Sequence, residues 1–174
     1  MNIRSLFITG LLLAMVIVSC DSDSKASELH THSESAEGNW VLFEDALEMA
    51  SAQEKYIVVD IYTDWCPYCR RMLNQTYAND TVQETIETYF YAVRLDAESN
   101  ERIRYNGQEY SSAELAYAFG AVSYPTTLFL TPDAEPIATQ TGYIPKDTFN
   151  QMLKYIGTGS YESLSFQQFV DKEK

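Results

Sequence analysis

Tyr56-Ile57-Val58-Val59-Asp60-Ile61-Tyr62-Thr63-Asp64-Trp65-Cys66-Pro67-Tyr68-Cys69-Arg70-Arg71-Met72-Leu73 reads, in that order, as strand, turn, cysteine pair and helix. The run from Tyr56 to Tyr62 is apolar almost throughout and rich in β-branched residues, the pattern of a central strand covered on both faces. Asp60 is its one charged member. Two residues between cysteines at a helix start bring both sulfurs within bonding reach. The first sulfur lies where free amide hydrogens and the helix field favour an anion, which lowers its thiol pKa. Cys66 is therefore expected to be the exposed, attacking sulfur. Cys69, one turn inward, is expected to resolve the mixed disulfide formed on Cys66. Pro67 suits a first helical turn, where its missing amide hydrogen costs little. Three other readings compete: a structural disulfide, which would stabilise weakly because so short a loop closes little entropy; half of a metal site; and chance spacing.

On either side of this stretch the pattern alternates between helix and strand. Leu42, Phe43, Ala46, Leu47 and Ala50 fall at helical spacing, so a first helix is expected within Trp40–Gln53, starting near Glu44 and Asp45 with Trp40 packed beside it. After the cysteines, Met72, Leu73, Thr76 and Tyr77 continue a helical stripe that Asn79-Asp80 breaks. A short helix over Thr81–Thr88 and a supporting strand over Tyr89–Leu95 follow. The polar stretch Asn100–Tyr110 contains the turn signal Asn106-Gly107. Ser111 or Ser112 can cap a helix that Gly120 ends. Leu128–Leu130 and Ile137–Thr141 form a hairpin, and Pro145 opens a last main helix. Ser165–Phe169 adds a short terminal helical piece. The predicted fold is α/β: a central mixed sheet, parallel in its crossover part and closed by a hairpin, with helices on both faces.

The chain has 174 residues, 45% of them hydrophobic, and a formal charge of -13. That length suits one domain with its own core. The acidity argues against a nucleic-acid binder, which would show a basic patch. The three cysteines are too few for a disulfide framework. A mixed metal site would have to add His30 and His32 to the pair, and both lie in a polar segment where solvent exposure is the plain reading. No metal and no cofactor is expected, and a monomer is.

The start of the chain reads as an address. A short basic start, Asn2–Arg4, precedes an apolar run from Leu6 to Val18, too short for the roughly 20 residues that cross a bilayer as a helix but fitting a secretory signal. Its end, Ile17-Val18-Ser19-Cys20, resembles the lipobox of bacterial lipoprotein signal peptides. The resemblance implies cleavage after Ser19 and lipid on Cys20. The expected division is therefore a signal peptide over 1–19, a lipidated cysteine and flexible polar tether over 20–38, and the folded domain over 39–174. A simple secretion signal with an incidental cysteine is the alternative.

The stretch Asp60–Cys69 resembles the active site of the thioredoxin superfamily, and Tyr124-Pro125-Thr126 resembles its cis-proline loop. Cys66-Pro67-Tyr68-Cys69 itself resembles glutaredoxins. The likeness covers about residues 39–157 and looks closest to secreted, membrane-tethered members. It implies that Asp60 is a buried acid that helps take the proton from Cys69, that Trp65 shields the sulfurs, and that Pro125 presents the Tyr124 backbone to a bound peptide. Pro67, Tyr68, Tyr124 and Thr126 would line the substrate surface. A carboxylate inside a strand is costly unless paired or protonated, so Asp60 needs such a reason. Arg70 and Arg71 stand where the family often has one lysine, and either favour the Cys66 thiolate or face solvent.

The resemblance implies a protein-disulfide oxidoreductase in the bacterial envelope, lipid-anchored and facing the periplasm, with the choice between inner and outer membrane open. Its partners would be protein disulfides and a membrane thiol-disulfide electron donor. A dedicated oxidase, a binding or assembly factor with a vestigial pair, and a copper carrier are the alternatives; the last is disfavoured because no histidine follows His32.

Overall fold

The computed structural model describes residues 39–173. The expected signal peptide, Cys20 and the tether lie outside the described residues. A five-stranded sheet runs in the order β1-β3-β2-β6-β7. Its strands are β1 (Trp40–Val41), β2 (Tyr56–Tyr62), β3 (Phe90–Asp96), β6 (Thr126–Leu130) and β7 (Pro136–Thr141). A separate hairpin joins β4 (Arg102–Tyr105) to β5 (Gln108–Ser111). Strands β1 and β2 flank β3 in parallel, while β6 and β7 are antiparallel. The fold is the mixed, helix-covered sheet that the sequence pattern predicts.

The alternation of β2 divides the core. Ile57, Val59 and Ile61 pack on one face with α1 (Phe43–Gln53) and α4 (Ser112–Ala118). Val58 packs on the other with Met72, Tyr77, Phe129 and Phe149, under α2 (Pro67–Met72), α3 (Asp80–Tyr89) and α5 (Lys146–Gly157). Because side chains on a strand alternate, Asp60 shares the face of Val58, beneath the helix that carries the cysteines.

One expectation needs correction and one reading is extended. Trp40 and Val41 do not merely sit beside the first helix. They form β1 and pair with Ala92 and Val93, and the helix begins at Phe43. Two residues are too few to show alternation, so only the partner strand reveals them. In the polar stretch over 100–110 the Asn106-Gly107 turn signal is borne out, and strands flank it on both sides. Asn106 and Gly107, both at positive φ, turn it into the β4–β5 hairpin, as their Asn-Gly chemistry favours. Its strands bury little beyond Ile103 and Ser111, which leaves no apolar period to read. The hairpin is fixed from outside: Glu44 Oε1 accepts from the Arg104 amide at 2.8 Å, Tyr105 donates to the Ala134 carbonyl at 2.8 Å, and its ring meets Phe43 and Phe119 edge-on.

The helix after the cysteines also winds differently from the expected stripe. Leu73–Tyr77 forms a π-helical turn continuous with α2 and buries Thr76 and Tyr77. Thr76 donates to the Ile144 carbonyl at 2.7 Å, and Met72 Sδ accepts from the Ile144 amide at 3.4 Å. These two contacts pin the cysteine-bearing segment to the loop between β7 and α5. At the end of α5, Gly157 lies against Tyr89; a Cβ there would come within 2.6 Å of the tyrosine side chain. The terminal piece is α6 (Phe166–Lys172), started by a reciprocal Ser165–Gln168 capping box and packed through Phe166 and Phe169 on Tyr155.

Candidate active site at the Cys66–Cys69 pair

Strand β2 delivers the chain to the site, and the Thr63 carbonyl accepts the Cys66 amide at 3.2 Å. Cys66 is the extended N-cap of α2, Pro67 opens the helix, and Cys66 Sγ accepts the Cys69 amide at 3.1 Å. An unpaired helix-start amide aimed at a sulfur favours its anionic form. Here the two sulfurs are joined as a disulfide, with Cα atoms 5.3 Å apart. The expected exposure of Cys66 does not hold in this form: Cys66 is 2% and Cys69 1% accessible. In this form Cys66 Sγ is bonded to Cys69 and accepts that residue's amide, which leaves it little free surface.

Asp60 is fully buried. Burial pushes its carboxyl up to about 6, against the opposing pull of Arg94. Arg94 Nε donates to Asp60 Oδ2 at 3.3 Å. The guanidinium lies 3.8 Å from the Tyr62 ring centroid and 5.8 Å from that of Trp40. A group that titrates near 6 is ionised at neutral pH yet basic enough to accept a proton.

The expected substrate surface divides. Trp65 and Tyr68 are exposed at 62% and 57%, and Pro67 is exposed between them. The Trp65 indole donates to Glu98 Oε1 at 3.0 Å and meets the Tyr124 ring edge-on at 6.2 Å. That contact ties the Tyr124–Pro125 loop to the residue that precedes Cys66. The Tyr124–Pro125 bond is cis, and the Pro125 carbonyl accepts the Gly142 amide at 2.8 Å. Thr126 does not line the surface: it is fully buried and donates to the Ser123 carbonyl at 2.7 Å, bracing the loop from beneath. Arg70 and Arg71 are committed elsewhere, Arg70 to the Asp64 carbonyl at 2.8 Å and Arg71 over the Tyr143 ring at 4.2 Å. Sequence reading passed over Arg94, Glu98, Tyr77 and Thr127. For Arg94 a signal existed: an arginine inside a strand invites a buried acid as its partner.

A disulfide at a helix start, above a buried carboxyl on the central strand, defines a thioredoxin-fold protein with a redox-capable cysteine pair. Residues 43–157 match the family model of the thioredoxin-like domain, and the chain belongs to that family. Curated relatives include the thiol:disulfide interchange protein DsbD of Yersinia pestis, 30% identical over 108 residues, which are 61% of this chain and 17% of the relative. The chain thus spans under a fifth of the length of the curated relatives it matches. Among solved structures, a thioredoxin from Thermus thermophilus superposes with a TM-score of 0.56 at 22% identity, over 70% of this chain and 88% of that one. A thioredoxin-fold protein from Helicobacter pylori gives 0.55 at 21%, over 69% and 80%. These two likenesses carry the fold. Among the described residues, no helix is long and apolar enough to cross a membrane, and no cluster of three metal-ligating side chains occurs.

Proposed function

We propose that this chain is a protein thiol-disulfide oxidoreductase in which Cys66 attacks and Cys69 resolves. The observation that carries the reading is the helix-start disulfide whose Cys66 Sγ receives the Cys69 amide, above the buried Asp60. In the reducing direction, Cys66 thiolate attacks a substrate disulfide and one substrate sulfur leaves, taking a proton. Cys69 then gives its proton to the Asp60 carboxylate and attacks Cys66 Sγ. The second substrate sulfur leaves as a thiolate that solvent protonates, Asp60 returns the Cys69 proton to solvent, and two electrons have passed to the substrate. Trp65, Pro67, Tyr68 and the Tyr124–Pro125 loop form the docking surface, and no cofactor enters the cycle. The printed name of the DsbD relatives, thiol:disulfide interchange protein, supports this class of activity.

The deciding measurement is a redox titration of the pair, run beside an insulin-type reduction assay. Reductase use predicts a potential near that of thioredoxin, about -270 mV, whereas a value near about -120 mV would reverse the direction to oxidation. A pair that does not cycle, on a Cys66 that alkylates no faster than a free cysteine peptide, overturns the reading.

We place the protein in a bacterial envelope, lipidated on Cys20 and facing the periplasm, with electrons supplied by a membrane thiol-disulfide donor. The lipobox-like Ile17-Val18-Ser19-Cys20 supports the anchor. Several acyl chains hold a protein at a membrane stably, so the full chain is expected in the membrane fraction and Cys20→Ala in the soluble one. Equal partition of both would remove the anchor from the account.

A further inference from the structure

Of the six buried polar side-chain atoms without a well-formed hydrogen bond among the described residues, four belong to one neighbourhood, Asp60 Oδ1, Thr127 Oγ1, the Tyr77 hydroxyl and Trp40 Nε1, and within it the Tyr77 and Thr127 hydroxyls are near enough to interact. Thr127 is the cross-strand partner of Asp60, so their side chains share a face. Tyr77 reaches that face from the π turn and stacks edge-on against Trp40 at 4.9 Å. Trp40 in turn lies under Arg94, which holds the other carboxylate oxygen. Asp60, Tyr77 and Thr127 are each fully buried.

Orphaned polar groups at such depth are rare and costly singly. As a set, however, these are complementary. The indole can only donate, the ionised carboxylate can only accept, and the two hydroxyls do either. We propose that Tyr77, Thr127 and Trp40 form a hydrogen-bonding cluster behind Asp60, in which Tyr77 and Thr127 are positioning residues that set where Asp60 gains and loses its proton. The inference rests on the proposed role of Asp60 in resolving the mixed disulfide.

The charges around Asp60 are few. Strand β3 contributes Arg94, and β2 contributes Tyr62 stacked on that arginine. The π turn contributes Tyr77, whose own ionisation is suppressed by burial and by Asp60. Strand β6 contributes only the neutral Thr127. Helix α2 contributes the cysteines, its arginines being turned to Asp64 and Tyr143. Against this background, hydroxyls that donate to the ionised carboxylate, directly or through water, hold its pKa below what burial alone would give.

The test is a carboxyl-carbon NMR titration of Asp60 in the disulfide form. Tyr77→Phe and Thr127→Val are each expected to raise the midpoint by about one pH unit, the tenfold change in ionisation that a hydrogen bond to a charge carries. The double variant is expected to shift by less than the sum, because both hydroxyls serve one site. Thr127→Ser, which keeps the hydroxyl, is expected to restore the wild-type midpoint. An unchanged or lowered midpoint in folded Tyr77→Phe and Thr127→Val overturns the proposal. If Tyr77→Phe does not fold, the Thr127→Val and Thr127→Ser pair decides alone. Disulfide reduction is assayed on the same samples. Shifted midpoints in a protein that reduces nothing would uphold the cluster and sink the oxidoreductase reading, and the converse result would do the opposite.

Discussion

Cys66→Ser is expected to abolish disulfide exchange, by about a thousandfold or more, the scale on which loss of a nucleophile acts. Cys69→Ser is expected to fail differently. It still attacks, but it cannot release, so it accumulates as a mixed disulfide with its substrates. The asymmetry follows from position. Cys66 caps α2 and its sulfur receives the Cys69 amide, whereas Cys69 lies one turn inward. Each variant is mixed with a disulfide-bonded protein and run on a non-reducing gel. A covalent adduct with Cys69→Ser and none with Cys66→Ser supports the assignment. Adducts of equal yield, or adducts only with Cys66→Ser, would reverse or remove it. Recovering the trapped partners also names the substrates.

The second large effect concerns stability. Burial raises the Asp60 carboxyl from 3.8 to about 6. The folded state therefore holds this proton more tightly than the unfolded chain does. The stability that this preference contributes is fully present below the unfolded pKa. It is lost as pH rises through about 6, a change on the order of 3 kcal/mol for this one group. Asp60→Asn carries no such charge. It is expected to be more stable than wild type at pH 8 by an amount of that order, and to match it near pH 4. Arg94 loses its partner in the variant, yet its side chain is 24% accessible and rests on Tyr62, so water and the ring can take over. Urea unfolding at several pH values gives the difference directly. A variant no more stable at pH 8 would mean that the Asp60–Arg94 attraction outweighs desolvation. The same variant is expected to resolve mixed disulfides slowly, which would explain why a destabilising acid occupies a central strand.

Much of this architecture was readable because it is local. The apolar run ending at Tyr62, the Cys66–Cys69 spacing with Pro67 between, and Gly120 after the α4 helix each state their role within a few neighbours. The Asp60 anomaly was readable as well, since a charge inside a buried-type strand calls for a partner. Its partners were not. Arg94 joins it only through the β2–β3 register, Thr127 only through β2–β6, and Tyr77 only because the helix widens into a π turn. Long-range pairing of single polar residues leaves no periodic trace. The same holds for β1, two residues long, and for the β4–β5 hairpin, whose strands are mostly polar. Thr126, placed on the substrate surface by its neighbourhood in sequence, proved to face inward for a related reason: its side chain points to the loop it braces.

The closure of both sulfurs in the disulfide form has a consequence for how the protein is recharged. With Cys66 and Cys69 at 2% and 1% accessibility, the disulfide offers little surface, whereas Trp65 and Tyr68 beside it in sequence are exposed. Under the proposed exchange, a donor protein docking on those rings would bring its own thiolate onto the bond. Such a pair would trade electrons more readily with a docked protein than with a freely diffusing thiol.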